Sequence, residues 1–258
     1  MKAYLRTTII LAMAAIFAAG FVAIYALNKN RRAQVTCSGV KVEFADKLGF
    51  VTQDDIEGYL QTDYGTCIGK RLDSLDLEKI ENILEGKSAI METEAYTTPD
   101  GVLHVRLCQR EPVIRFQKGE NGFYADSRGF LFPLNSGYTS RVPVIDGNIP
   151  LDIDSGYKGE PKTEKEKKWL SDVIALAGFM DSSGIWSENI SQITVDPEGD
   201  LILVPRQGRE RFIFGGPDGF VKKFRKIQEY YTAIVPARGK DTYSTVNVKY
   251  DKQIVCRK

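Results

Sequence analysis

The only histidine of the chain, His104, lies in the run Val102-Leu-His-Val-Arg-Leu107. Alternation puts Leu103, Val105 and Leu107 on one face of a strand and His104 with Arg106 on the other. Base or nucleophile chemistry needs a hydroxyl, thiol or carboxylate arranged around the imidazole, and nothing near this position supplies one. The reading is a solvated strand residue. The four cysteines, Cys37, Cys67, Cys108 and Cys256, form no CxxC pair, and one histidine leaves a zinc site short of ligands. They read as buried thiols or as disulfides in an oxidising compartment, with three pairings open. Asp152-Ile-Asp154-Ser-Gly156 starts like a calcium loop, but the fifth position is glycine and the twelfth is Thr163, where a bidentate glutamate is needed. Phe214-Gly-Gly-Pro-Asp-Gly219 precedes a helix, yet it lacks phosphate-loop spacing and Asp218 would repel an anion. Lys222, Lys223, Arg225 and Lys226 on that helix read first as a solvated face, and second as a contact surface for an acidic partner. No catalytic residue, metal or cofactor is expected.

The elements around these residues begin with a hydrophobic run. Thr7 to Leu27 carries no charge, and at about 1.5 Å per residue it spans roughly 30 Å, the thickness of a bilayer core. A single membrane-spanning helix is expected there, in preference to a cleaved leader, because apolar sequence continues past Ala18-Ala19-Gly20. The flanking charges, Lys2, Arg6 and the amino terminus against Lys29, Arg31 and Arg32, do not decide direction. The formal net charge of +1 argues against a nucleic-acid footprint.

Beyond the anchor, two regions differ in pattern. In the first, VKVEF (40–44) alternates as a strand. Thr52 with Asp55 opens a helix, and Asp76 opens another whose apolar positions Leu77, Ile80, Ile83 and Leu84 recur at helical spacing. Strands over 90–97 and 102–109 are joined by Pro99-Asp-Gly101. The order is β-α-α-β-β. The second region, from about Pro112, is predicted as an antiparallel meander with turns at Asp126–Gly129, Asp196–Gly199 and Gln207-Gly208. Two helices interrupt it, one opened by Thr163 and Glu166 and burying Trp169, Val173, Ile174, Ala177 and Met180, the other bearing Phe220, Phe224, Ile227 and Tyr231. A last strand is expected over Ser244–Tyr250 and a shorter strand-like run over Gln253–Cys256. The fold class is α+β, divided as tail 1–6, anchor 7–27, linker 28–36, small module 37–111 and β domain 112–258.

This layout resembles the bacterial cell-division protein FtsQ (DivIB) family, with the small module similar to a POTRA domain. The residues that carry the resemblance include Phe50-Val-Thr-x-Asp-Asp-Ile56, Leu75-Asp-Leu-Glu-Lys-Ile-Glu81 and Asp100-Gly-Val-Leu-His-Val105, running into Gln109-Arg-Glu-Pro-Val113. They continue through Phe123-Tyr-Ala-Asp-Ser-Arg-Gly129, Arg141-Val-Pro-Val144-x-x-Gly147 and Ser244–Tyr250. The resemblance implies a non-enzymatic scaffold in the inner membrane, with a cytoplasmic N-terminus and a periplasmic ectodomain at the septum. It also implies binding of FtsB and FtsL through the last strand of the β domain and the helix before it. The alternatives are a POTRA-containing transport or assembly adaptor and a membrane-tethered periplasmic enzyme.

A meander must end in a strand with one unpaired ladder, and Ser244–Tyr250 is the candidate, with Lys249 and Lys252 as edge charges. The expected partner-binding residues are Phe224, Ser244, Thr245, Val246, Asn247, Val248, Lys249, Tyr250 and Lys252. On this reading Val248→Pro removes binding and leaves the fold intact.

Overall fold

The structure, a computed structural model, describes Met13 and residues 16–25, 35–135 and 137–258. Residues 16–25 are helical (α1), with exposed side chains. The remainder of the expected span 7–27, the tail 1–6 and most of the linker 28–36 lie outside the described residues. Among the described residues, no helix is long and apolar enough to cross a membrane. The chain divides after Gln109 into two compact units.

The first unit is a three-stranded sheet of order β1-β3-β2, built from β1 (Gly39–Phe44), β2 (Ile90–Thr97) and β3 (Val102–Gln109). β1 runs parallel to β3, with Val42 opposite Val105, and β2 runs antiparallel to it. The crossover from β1 carries α2 (Gln53–Tyr59), which continues as a π turn over Leu60–Tyr64, and α3 (Leu77–Glu85). Both helix starts are locally encoded. Thr52 Oγ1 accepts the Asp55 N–H at 3.3 Å while Asp55 Oδ2 accepts the Thr52 N–H at 2.9 Å, and Asp76 Oδ1 accepts from Lys79 N–H at 3.0 Å. Each such cap stabilises a helix by about 1 kcal/mol. Leu103, Val105 and Leu107 alternate inward against Ile56, Ile80 and Leu84, all buried. Buried Gln109 closes the unit. Its Oε1 accepts from Val51 N–H at 2.8 Å, and its Nε2 donates to Asp46 Oδ1 and the Leu48 carbonyl, each at 2.8 Å. A buried amide is tolerable only when satisfied in this way.

The second unit holds a nine-stranded sheet of order β12-β11-β10-β9-β8-β7-β4-β5-β6. In chain order the strands are β4 (Pro112–Lys118), β5 (Asn121–Asp126), β6 (Leu131–Pro133), β7 (Val144–Gly147), β8 (Ile190–Val195), β9 (Leu201–Pro205), β10 (Arg211–Gly215), β11 (Thr245–Asn247) and β12 (Val255–Arg257). The three expected hairpin turns join β5 to β6, β8 to β9 and β9 to β10. The all-antiparallel expectation fails. β4–β7, β7–β8 and β10–β11 are parallel pairs, because each connection between them is a crossover rather than a turn. α4 (Glu164–Ser183) and α5 (Ile185–Asn189) carry the chain from β7 to β8, and α6 (Phe220–Glu229), a π turn over Tyr230–Ile234 and α7 (Val235–Arg238) carry it from β10 to β11. β7 has four residues, too few to show a period in sequence. It ends on Gly147, which has φ +86° and where a Cβ would stand 2.3 Å from the Val195 carbonyl oxygen.

α4 starts on the predicted capping box of Thr163 and Glu166 and buries Leu170, Val173, Leu176, Ala177 and Met180 against the sheet. Glu166 also accepts the Asp152 N–H at 2.6 Å, and these hydrogen bonds hold its carboxyl below the usual range.

Candidate functional site

Only the ends of a sheet offer unsatisfied backbone ladders, so the site question in the second unit is what closes each end. At β6 the closure comes from a loop. Leu131 N–H donates to the Gly159 carbonyl at 2.8 Å, and Gly159 N–H donates back to the Leu131 carbonyl at 2.9 Å. At the other end stands β12, with no strand beyond it among the described residues.

The expected edge, Ser244–Tyr250, is not the edge. Its strand is limited to Thr245–Asn247 and is paired on both sides, parallel to β10 and antiparallel to β12. The strand at Val255–Arg257, three residues long and expected from sequence as a strand-like run over Gln253–Cys256, covers it. The direction of each ladder follows from the register. Val246 sits between two bonds to β10, Arg211 N–H to the Ser244 carbonyl and Val248 N–H to the Ile213 carbonyl, both at 2.9 Å. Thr245 and Asn247 therefore face β12, opposite Arg257 and Val255. Backbone polarity alternates along a strand, so the N–H and C=O of Cys256 face outward.

The nine residues expected to bind a partner separate accordingly. Phe224, Val246 and Val248 are core. Phe224 is enclosed by Trp186, Phe214 and Phe179, with ring centroids at 4.5, 5.1 and 5.5 Å. Val248→Pro would break the bond to Ile213 inside the sheet, so the expectation of an intact fold is withdrawn. Thr245 and Asn247 are half-buried, and Ser244, Lys249, Tyr250 and Lys252 are exposed. Lys249 Nζ donates to Asp200 Oδ2 at 2.6 Å.

The basic helix face also needs correction. Lys226 is buried, and its Nζ donates to the Val248 carbonyl at 3.0 Å and to the Tyr250 carbonyl. An ammonium on a flexible stem reaches past the apolar face and satisfies two carbonyls where β11 gives out. Lys223 Nζ donates to the Gly216 carbonyl at 2.8 Å, and burial pushes its pKa down. Lys222, Arg225 and Lys252 remain outside, beside Glu229, Asp251 and Ile254, around a groove of about 560 Å³ between α6 and the β11–β12 turn.

His104 is not simply solvated. Its ring stacks on Tyr96 at 4.8 Å with planes 3° apart, and its Nδ1 lies 3.8 Å from Glu43. All four cysteines carry free thiols; Cys37 and Cys67 are buried, and burial with the neighbouring Cys37 raises the Cys67 pKa. Asp152 faces Lys162 at 3.3 Å rather than a second carboxylate.

A comparison with curated proteins gave no match. Two family models do match, and they meet near the division between the units. The model for a POTRA-like domain covers residues 35–108, the β-α-α-β-β unit with its order β1-β3-β2. The model described as FtsQ/DivIB, C-terminal related, covers residues 111–257, more than half of the chain and all nine strands that lead to the open β12 edge. On that match the chain belongs to the FtsQ/DivIB C-terminal related family.

Proposed function

We propose that this protein is a non-catalytic cell-division scaffold that takes an extended segment of an FtsB- or FtsL-type partner onto the outer ladder of β12. Its family domains suggest a cell-division scaffold role and are typically non-catalytic. The single observation that carries the mechanism is the open edge at Val255–Arg257. A strand added there gains main-chain hydrogen bonds to Cys256 and side-chain contacts beside it. The groove bordered by Lys222, Arg225 and Lys252 continues the surface from the start of that strand and suits carboxylates on the same partner. Of the residues first expected to bind, Ser244, Tyr250 and Lys252 stay in this reading as flanking contacts. A membrane anchor over residues 7–27, a cytoplasmic N-terminus and a periplasmic ectodomain at the septum complete it. The two divisions of the chain, 37–111 and 112–258, would then serve recruitment and partner binding respectively.

The test is genetic and biochemical. Depletion should give filamentous cells, and full-length protein should co-purify with its bitopic partner. Normal septation after depletion would remove the cell-division reading. Undiminished co-purification by Cys256→Pro would remove the edge mechanism.

A further inference from the structure

The β domain contains a second recognition feature whose lining includes no residue of β12. A cavity of about 420 Å³ opens beside α5, the β9–β10 turn and the π turn after α6. Its apolar walls are Ile185, Trp186, Tyr230, Tyr231 and Val235; its charged lining is Glu210 together with exposed Lys240 and Asp241, and Lys240 makes no ion pair with Glu210 among the described residues. That size, with apolar walls and polar groups set among them, is typical of a ligand pocket.

Glu210 is only 4% exposed. Tyr231 Oη donates to its Oε1 at 2.7 Å. Among the described residues its Oε2 has no hydrogen-bond partner and the carboxylate has no ion pair. The turn is shaped to hold it there. Gly208 has φ +106°, and a Cβ at that position would stand 2.4 Å from Glu210 Oε2, so any larger residue would displace the carboxylate. The aromatic walls are fixed from behind. Trp186 stacks on Phe224 at 4.5 Å, and Tyr230 meets Phe212 edge-on at 5.6 Å.

A carboxylate with one neutral donor keeps acceptor capacity at the cavity, and a cation is the partner that uses it best. The aromatic side chains Trp186, Tyr230 and Tyr231 line the same cavity, which favours an organic cation. A metal ion would need more oxygen ligands than this single carboxylate. Two of the walls are themselves exposed apolar surface, Ile185 at 63% and Tyr231 at 37% exposure. A free amine would leave that surface uncovered, whereas apolar residues flanking a basic one in a chain would cover it. We infer that this cavity receives a lysine or arginine side chain from an extended, apolar-flanked segment of a partner protein. The inference rests on the reading of this domain as a protein-binding module.

The test uses the full-length protein in detergent. The chain has two tryptophans, so a Trp169→Phe background makes Trp186 the sole indole reporter. The probes are capped Leu-Lys-Leu, the same peptide with norleucine for lysine, and n-butylammonium. The lysine peptide should shift Trp186 emission saturably, and the norleucine peptide should bind at least about tenfold more weakly. Glu210→Gln should weaken the lysine peptide by a similar factor and leave the norleucine peptide unchanged. Gln207→Lys, on the exposed turn at the mouth, should compete from within and weaken the peptide without touching the buried carboxylate, which covers the case that Glu210→Gln fails to fold. Equal binding of the two peptides overturns the proposal, as does unchanged binding by Glu210→Gln with a parental melting temperature. Butylammonium binding as tightly as the peptide overturns the assignment to a protein side chain. Cys256→Pro should keep lysine-peptide binding while losing the strand partner, so failure of the edge mechanism and failure of this site give different results.

Discussion

β2 and β12 are both terminal strands of their sheets, yet they are finished in opposite ways. Two outward N–H groups in the middle of β2 are occupied. Glu85 Oε1 accepts from Thr93 N–H at 3.0 Å and Glu81 Oε1 from Ala95 N–H at 2.7 Å, two carboxylates one helical turn apart on α3. β1, the other border of that sheet, carries the Lys41–Glu43 ion pair at 2.8 Å. In the β domain the β6 border is stitched to Gly159, while β12 has no such cover among the described residues. Edges invite association unless blocked. A chain that blocks one edge with its own helix and leaves another bare distinguishes a structural border from a working one.

That contrast can be broken most sharply at Cys256. Cys256→Pro deletes an outward N–H and no inner ladder bond, so partner affinity should fall by about a hundredfold with little change in melting. Pull-down with the full-length partner and a thermal melt measure the two quantities. Val248→Pro, one strand inward, should instead destabilise the β domain by about 3 kcal/mol, read by urea unfolding. If it melts like the parent, the inner position of β11 is wrong. Converting the blocked edge into an open one is a smaller change. Glu81→Ala with Glu85→Ala should cost about 1–3 kcal/mol, expose the Thr93 and Ala95 amides to hydrogen exchange and raise self-association in light scattering. Amides that stay protected would show that the carboxylates are not the block.

The smallest effect is alkaline. Tyr230 lies under the open-edge side of the β domain, where burial pushes its phenol up to about 12. The folded state holds that proton while the unfolded state loses it near pH 10, so stability should decline between about pH 10 and 12. Melting curves across that window should show the decline, and Tyr230→Phe should reduce it, leaving the part due to Tyr231, whose phenol is also pushed up by burial and by its bond to Glu210.

Features set by neighbours in sequence were legible, and features set by partners across the fold were not. Thr52 with Asp55 and Thr163 with Glu166 act over one turn, so the helix starts could be read directly. The strands over 90–97 and 102–109 announce themselves by alternation and by the glycine turn between them. β7 is too short for any period and carries no strand expectation, while β12 is legible as a strand-like run over Gln253–Cys256 but not as the strand that covers Thr245–Asn247. Those two gaps turned a mixed sheet into a meander and moved the free edge inward by one strand. Lys226 looked like a solvated charge because its neighbours Lys222 and Arg225 are, and only the later return of Val248 and Tyr250 gives it carbonyls to satisfy. The Glu210 cavity had no signal in sequence, since its walls come from three separated segments. Gly208 is the residue that marks it in retrospect.

The bond from Lys226 to the last carbonyls of the β11 segment has a use in measurement. An amine-reactive reagent should modify exposed Lys222 and Lys252 at once, while Lys226 reacts only when the Val248–Tyr250 segment lifts from α6. Its labelling rate, read by mass spectrometry on intact membranes, would therefore act as a clock for detachment of the terminal hairpin. A partner that grips β12 should slow that clock without touching the lysine itself.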